Sequence, residues 1–404
     1  MLRQVRAATS AVIAAGLAVA GGWVGASPAG AAAGPTALNG ADYTLSADYH
    51  KYDALDSALV TALGTSPVHT VMENANHTRQ ALPSSFSVAG LSTGFRFDDG
   101  DNTDCKSVPQ GITTSRDAVG TANSGNYDGH QLVLVSWYTA DACGGNHQRS
   151  RITLADWDAT YPNTYRKILL VEPTGTAAAP DFKDIPIHAG GVSWYGDYLY
   201  VADTGRGMRV FDMRKILNTD TGGTADQIGR QANGAYYAHN YAYVLPQVGT
   251  VTSQTATGVT GLAWSSISLD RVSQSIVMTE YTCPASSTCT DYPKRAPRAV
   301  RFPFAPGATT FATTTTASQA LMLPWYHLNG VASHNGRWWF NSSGEKQLYY
   351  WTPTAGPSTF AWVGGGESLS YWEDATNPDL LWSLQETTGG RNVFAVTQAT
   401  YGGG

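Results

Sequence analysis

Gly190–Asp212 reads GGVSWYGDYLYVADTGRGMRVFD. Three apolar runs, Gly190–Trp194, Tyr198–Ala202 and Met208–Asp212, are separated by the turns Tyr195-Gly196-Asp197 and Gly205-Arg206-Gly207. Glycine and aspartate at such turns tolerate positive φ, so the stretch predicts three successive antiparallel strands. The outline returns as Asn329–Ser333, Arg337–Phe340 and Gln347–Trp351, with His334-Asn335-Gly336 and Ser343-Gly344-Glu345-Lys346 between the runs.

A shorter signature occurs five times. Its copies are Pro109-Gln110-Gly111-Ile112, Gly190-Gly191-Val192-Ser193, Ser265-Ser266-Ile267-Ser268, Asn329-Gly330-Val331-Ala332 and Glu367-Ser368-Leu369-Ser370. Each precedes a second apolar run: Leu132–Tyr138, Tyr198–Thr204, Ser275–Tyr281, Arg337–Ser343 and Leu380–Glu386. Repeated strand pairs on this scale predict radial repetition, hence an all-β, five-bladed β-propeller over residues 86–404. The last blade shows three strands, ending with Asn392–Thr397. Because an open blade edge leaves backbone groups unpaired, Phe86–Phe97 is expected to return as its fourth strand and close the ring.

Ahead of the propeller, residues 34–85 form an extension. Within Asp48–Gly64, Tyr52, Leu55, Leu59 and Leu63 keep helical spacing and predict a short amphipathic helix outside the main body. Residues 1–33 read as a secretory signal peptide: Arg3 and Arg6 first, then apolar Ser10–Ala20, then Ala31-Ala32-Ala33 as a cleavage site. No later run approaches the ~20 apolar residues of a membrane span. The expected protein is therefore secreted, extracellular and a monomer.

Formal charge is −6, and it becomes more negative once Arg3 and Arg6 are removed. No basic stripe is present, which argues against nucleic acid as a partner. An extracellular glycan or small molecule is the expected ligand. The four cysteines, an even count in an exported chain, predict two disulfides. Cys283 and Cys289 share one short Pro- and Ser-rich loop and should pair locally, leaving Cys105 to Cys143.

The run Leu199-Tyr200-Val201-Ala202-Asp203-Thr204, followed by Arg209-Val210-Phe211-Asp212, resembles a blade of the NHL, strictosidine-synthase and gluconolactonase-like propellers. As a whole the chain is similar to exported actinobacterial-type propeller proteins. The resemblance implies the fold. Its gluconolactonase branch implies a metal-assisted hydrolase of esters or lactones.

Strand polarity locates the candidate site. In a propeller the first strand of each blade begins at the face where the second strand ends. First-strand starts give Gln110, His188, Ser265, Asn329 and Glu367. Second-strand tips give Tyr138, Asp203, Thr204, Glu280, Tyr281, Ser342, Gln385 and Glu386. Asp203, Glu280 and Glu386 are the candidate catalytic carboxylates, as an acid–base pair of a glycosidase requires one protonated and one ionised group. Trp137, Tyr138 and Tyr281 would supply aromatic platforms, with Gln110, His188, Asn329 and Glu367 as further substrate-binding residues. Alternatively Asp203, Glu280, Asn329 and Glu386 make an oxygen cage for Ca²⁺, which would polarise a lactone or ester carbonyl. A third reading is a lectin-like binder without chemistry. The acidic run Asp98-Asp99-Gly100-Asp101-Asn102-Thr103-Asp104 resembles part of a calcium loop but lacks the EF-hand spacing and closing Glu.

Overall fold

The computed structural model describes residues 33–120, 125–144, 148–158, 163–373 and 377–402. The proposed signal peptide, except for its last residue Ala33, lies outside them. Five antiparallel strand sets, the first two continuous in one sheet, account for most of the strands. The first blade runs Ser107–Thr114, His130–Thr139, Ser150–Asp156 and Thr164–Thr176. The second runs Val192–Tyr195, Tyr198–Asp203, Gly207–Asp212 and Tyr243–Thr255. In the third, Trp264–Asp270, Ser275–Glu280, Arg298–Pro303 and Gln319–Met322 are joined at the outer edge by Thr36–Leu38. The fourth consists of Leu328–His334, Arg337–Ser342, Gln347–Thr352 and Gly356–Ala361.

The last sheet is Gly366–Trp372, Leu380–Gln385, Asn392–Thr397 and, on its edge, Leu91–Arg96. The early strand thus pairs with the final one, Phe95 opposite Val393 and Gly94 opposite Phe394. The first strands of the five sheets pack against one another in ring order around a central axis. Their approach is close: a Cβ on Gly191 would strike Ile267 of the next blade, and one on Gly330 would strike Ser368. Glycine is required at both places by contact between neighbouring backbones. The β-propeller read from the sequence is the fold of the chain.

Alternation along the strands sends apolar side chains into the spaces between adjacent sheets, where they form the core. Trp137, Trp194, Trp264, Trp338, Trp339 and Trp382 are all fully buried there. One such layer joins the last blade to the first through Phe95, Phe97, Ile112, Val135, Trp372 and Trp382.

The segment before the ring is more integrated than its sequence suggests. Helix α1 spans Asp53–Leu63 and ends at Gly64, whose φ is 67°. Asp48, expected inside the helix, instead ends the strand Tyr43–Asp48, which pairs with Tyr243–Thr255 and with Thr314–Thr316. That strand covers edges that would otherwise be open. The outer strands of the first two blades also meet in a parallel pair, Val244–Pro246 beside Leu169–Val171. Both expected disulfides are present, Cys105–Cys143 and Cys283–Cys289.

Candidate functional site: the central basin

Four of the five first strands carry a β-bulge near their start. The register shifts fall between Pro109 and Ile112, Trp264 and Ser266, Leu328 and Gly330, and Glu367 and Ser370. A bulge adds a residue that the partner strand does not match and re-aims its side chain. Gln110, Ser265 and Asn329 are such residues, and all three line one cavity of about 600 Å³. His188, just ahead of the second blade, lines it as well. The volume lies within the range of small-molecule sites.

Second-strand tips obey alternation. Tyr138, Thr204 and Tyr281 line the basin, while the preceding residues, Trp137, Asp203 and Glu280, are directed elsewhere. In the last blade Glu386 accepts a hydrogen bond from Gln110 Nε2 at 2.8 Å, whereas Gln385 donates to Gly364 O and accepts from Asn392. In the fourth, Ser343 Oγ bonds Asn329 Oδ1 at 2.7 Å, and Ser342 Oγ turns to Tyr326 O.

Three candidates are therefore redirected. Asp203 accepts from Arg209 Nε at 3.0 Å and lines a separate cavity with Glu172 and Gln247. Glu280 is fully buried between two arginines: Arg295 donates at 2.5 and 2.6 Å, Arg298 Nε and Nη2 at 2.8 Å each. The N–H groups of Ala263 and Arg298 complete the shell. Burial alone would raise this carboxyl, but the arginines hold its pKa below the usual value. Trp137 packs edge-on against Phe97 beneath the Arg151 guanidinium and offers the basin no face.

The expected convergence of Asp203, Glu280 and Glu386 does not occur. The calcium cage fails for the same reason, since two of its four residues are already neutralised by arginine. Among the described residues, potential metal-ligating atoms gather only at His77, Asp98 and Asp101 and at His130, Asp156 and Asp158. The first group takes Asp98 and Asp101 from the acidic run, and both are engaged within the protein. Asp98 caps a short helix, and Asp101 is held by Arg151, Lys167 and the Tyr165 hydroxyl.

Bonded to the basin residues Asn329 and Gln110 is a different acidic pair, Glu367 and Glu386. Glu367 is buried and accepts from Asn329 Nδ2 at 2.5 Å. Burial first, and the charge of Glu386 second, push its pKa well above the usual value. Burial also raises Glu386, while Gln110 and Arg391 oppose the rise. The Glu386 side chain is only partly buried, and among the described residues Oε1 has no partner. Tyr281 is pushed up to about 12, by burial and then by Tyr292 and the two glutamates.

Aromatic groups surround these polar atoms. Tyr138 stacks on His188 with ring centroids 4.0 Å apart, and Tyr281 lies 4.4 Å from Tyr292. Tyr292, Asp291 and Pro293 line the basin from the loop that Cys283–Cys289 ties, a contribution that strand polarity could not reveal. The closely spaced cysteines were its sequence signal.

No protein-family model matches the sequence, and no curated protein matches it. Among solved structures, the chain resembles the Myceliophteria thermophila Swd1 β-propeller domain at 12% identity and a TM-score of 0.27, over 66% of this chain and 80% of that one. A gluconolactonase from Xanthomonas campestris is similar at 12% identity and a TM-score of 0.33, over 80% and 86%. A GH43_1 enzyme from Xanthomonas citri is similar at 8% identity and 0.33, over 85% and 93%.

Proposed function

We propose that the protein is exported and that its central basin binds a glycan, with Glu386 as proton donor to a glycosidic oxygen. One observation carries the reading: buried Glu367 and partly buried Glu386 accept hydrogen bonds from the basin amides Asn329 and Gln110. A carboxyl whose pKa is raised by burial, as that of Glu386 is, is suited to general acid catalysis. Glu386 is the partly exposed member of the pair. Glu367 holds Asn329 through the bond from Nδ2.

The surroundings suit a sugar. Tyr138, His188, Tyr281 and Tyr292 present ring faces, while Gln110, Asn329 and Ser265 offer donors and acceptors for hydroxyl groups. Two disulfides agree with an oxidising compartment. Among the described residues no helix is long and apolar enough to cross a membrane. A calcium-dependent lactonase centre gains no support, because Asp203 and Glu280 serve arginines.

A glycan array combined with a reducing-sugar assay tests the proposal. The expected result is binding and turnover by the wild type, and binding without turnover by Glu386→Gln. Binding without turnover by the wild type would leave a lectin-like protein and remove the catalytic role of Glu386. Absence of any glycan binding would overturn the site.

A further inference from the structure

Among the described residues, buried carboxyls meet a cationic side chain with one exception. Asp56, Asp101, Asp212, Asp270 and Glu280 each meet a lysine or arginine, Asp117 meets Arg271, and Asp156 meets His130. Glu367, 2% exposed, meets none. Its Oε1 accepts from Asn329, its Oε2 accepts from no described residue, and the charge acting on it is that of Glu386, of like sign. Arg391 does not fill the gap, since it donates to the backbone oxygen of Glu386. A buried carboxyl without a cation holds a proton instead.

The missing counter-charge belongs beside the basin. Asn329 and Gln110, which bond the two carboxyls, line it, and no lysine or arginine is among the described residues that do. Tyr281 and Tyr292 line it with ring centroids 4.4 Å apart and planes tilted by 52°. Both glutamates help to raise the pKa of these two hydroxyls and of Tyr138, so the rings lie within their electrostatic reach. Asp291 adds a carboxyl to the wall. Tilted aromatic faces with carboxyls in reach attract an ammonium ion through charge and ring quadrupole together.

We propose that the basin takes a glycan carrying a free amino group, whose ammonium supplies the cation that Glu367 lacks. The ligand class is then an amino sugar, neither neutral nor acidic. This rests on the basin being a glycan site and adds the ligand's charge. On binding, the Glu367 carboxyl gives its proton to solvent and the resulting carboxylate balances the ammonium, so a proton leaves as each ligand enters. Glu386 keeps the role of proton donor.

Calorimetric titration at low salt and about pH 5.5 tests it, with glucosamine oligomers, their N-acetylated forms and uronate oligomers of matched length. The wild type should bind the free amine about tenfold more tightly than the N-acetylated probe, a preference that added salt erodes. Repeating the titration in buffers of different ionisation enthalpy should show a proton released with the amine and none with the N-acetylated probe. This count needs no variant, so it decides even if a substitution harms folding. Glu367→Gln should abolish both the preference and the release, and Tyr292→Leu, at a side chain 45% exposed, should cut the preference several-fold. Equal binding of amine and N-acetylated probes, tighter binding of the uronate, a preference without proton release, or one that survives in Glu367→Gln overturns the amino-sugar assignment and leaves the basin standing. If no probe binds, the basin fails and the assignment with it.

Discussion

Gln110 Nε2 donates to Glu386 Oε2 at 2.8 Å, joining the bulged start of the first blade's inner strand to the second-strand tip of the last blade. The bond stabilises the ionised form of Glu386 and so opposes the upward pull of burial. Gln110→Ala should therefore move the Glu386 titration to higher pH. Carbon-detected NMR of the carboxyl resonance would show the shift, and the alkaline limb of any hydrolysis profile should move with it. An unchanged titration would mean that the amide does not tune the acid.

Glu280 is a structural carboxylate. Glu280→Gln leaves Arg295 and Arg298 without a counter-charge and should cost about 3–5 kcal/mol, the usual penalty for breaking a buried ion pair. Calorimetric unfolding would reveal it as a lowered Tm, with glycan binding retained at low temperature. Because the folded-state pKa is depressed, this carboxylate contributes stability above the unfolded-state value and loses it as pH falls through the folded one. The wild type should therefore lose stability on acidification below about pH 4.5 more steeply than the variant.

Asp56 behaves in the opposite sense. It is fully buried on helix α1, its pKa is pushed up to about 6 by burial, and Lys215 Nζ at 3.5 Å only partly offsets the rise. The folded chain then holds a proton that the unfolded chain has released. That contribution is fully present below the unfolded value near 4 and is lost as pH rises through 6. Asp56→Asn should remove up to roughly 2–3 kcal/mol of this pH dependence and stabilise the protein at pH 7. Denaturant titrations at pH 4.5 and pH 7 would decide.

Phe95 is 2% exposed on the closing strand and packs against Phe97, at 5.6 Å between ring centroids. Phe95→Ala should cost about 3–5 kcal/mol. Limited proteolysis should then cut first near residues 80–97, since loss of the edge strand frees that segment. If cleavage starts in the fourth blade instead, closure through this strand is not what limits stability.

Much of this was legible because strand patterns report on faces. Repeated apolar pairs specify the blades, and the missing fourth strand of the last blade has one counterpart in sequence, Phe86–Phe97. Gln110, His188, Asn329, Tyr138 and Tyr281 follow from strand polarity and do line the basin. Asp203, Glu280 and Trp137 were assigned to it because polarity places a strand end but not the direction of its side chain. Period two sends each to the opposite face from Thr204, Tyr281 and Tyr138. The pairing of Glu367 with Glu386 was hidden for another reason. It depends on two blade-five strands meeting the amides of blades one and four, a relationship that no local spacing records.

The closing strand has a temporal consequence. Leu91–Arg96 is made early, yet its partner Asn392–Thr397 follows roughly 300 residues later. At about 5–20 residues per second, roughly 300 intervening residues take on the order of 15–60 s to synthesise, and throughout that time the early strand has no native edge to join. Four blades can assemble in order, each against its predecessor. The fifth waits for Asn392–Thr397, and it is the blade that carries both Glu367 and Glu386. A chain cut short before Asn392 would leave the ring unsealed and its acidic pair unsupported, so ligand-binding competence has to wait for that strand.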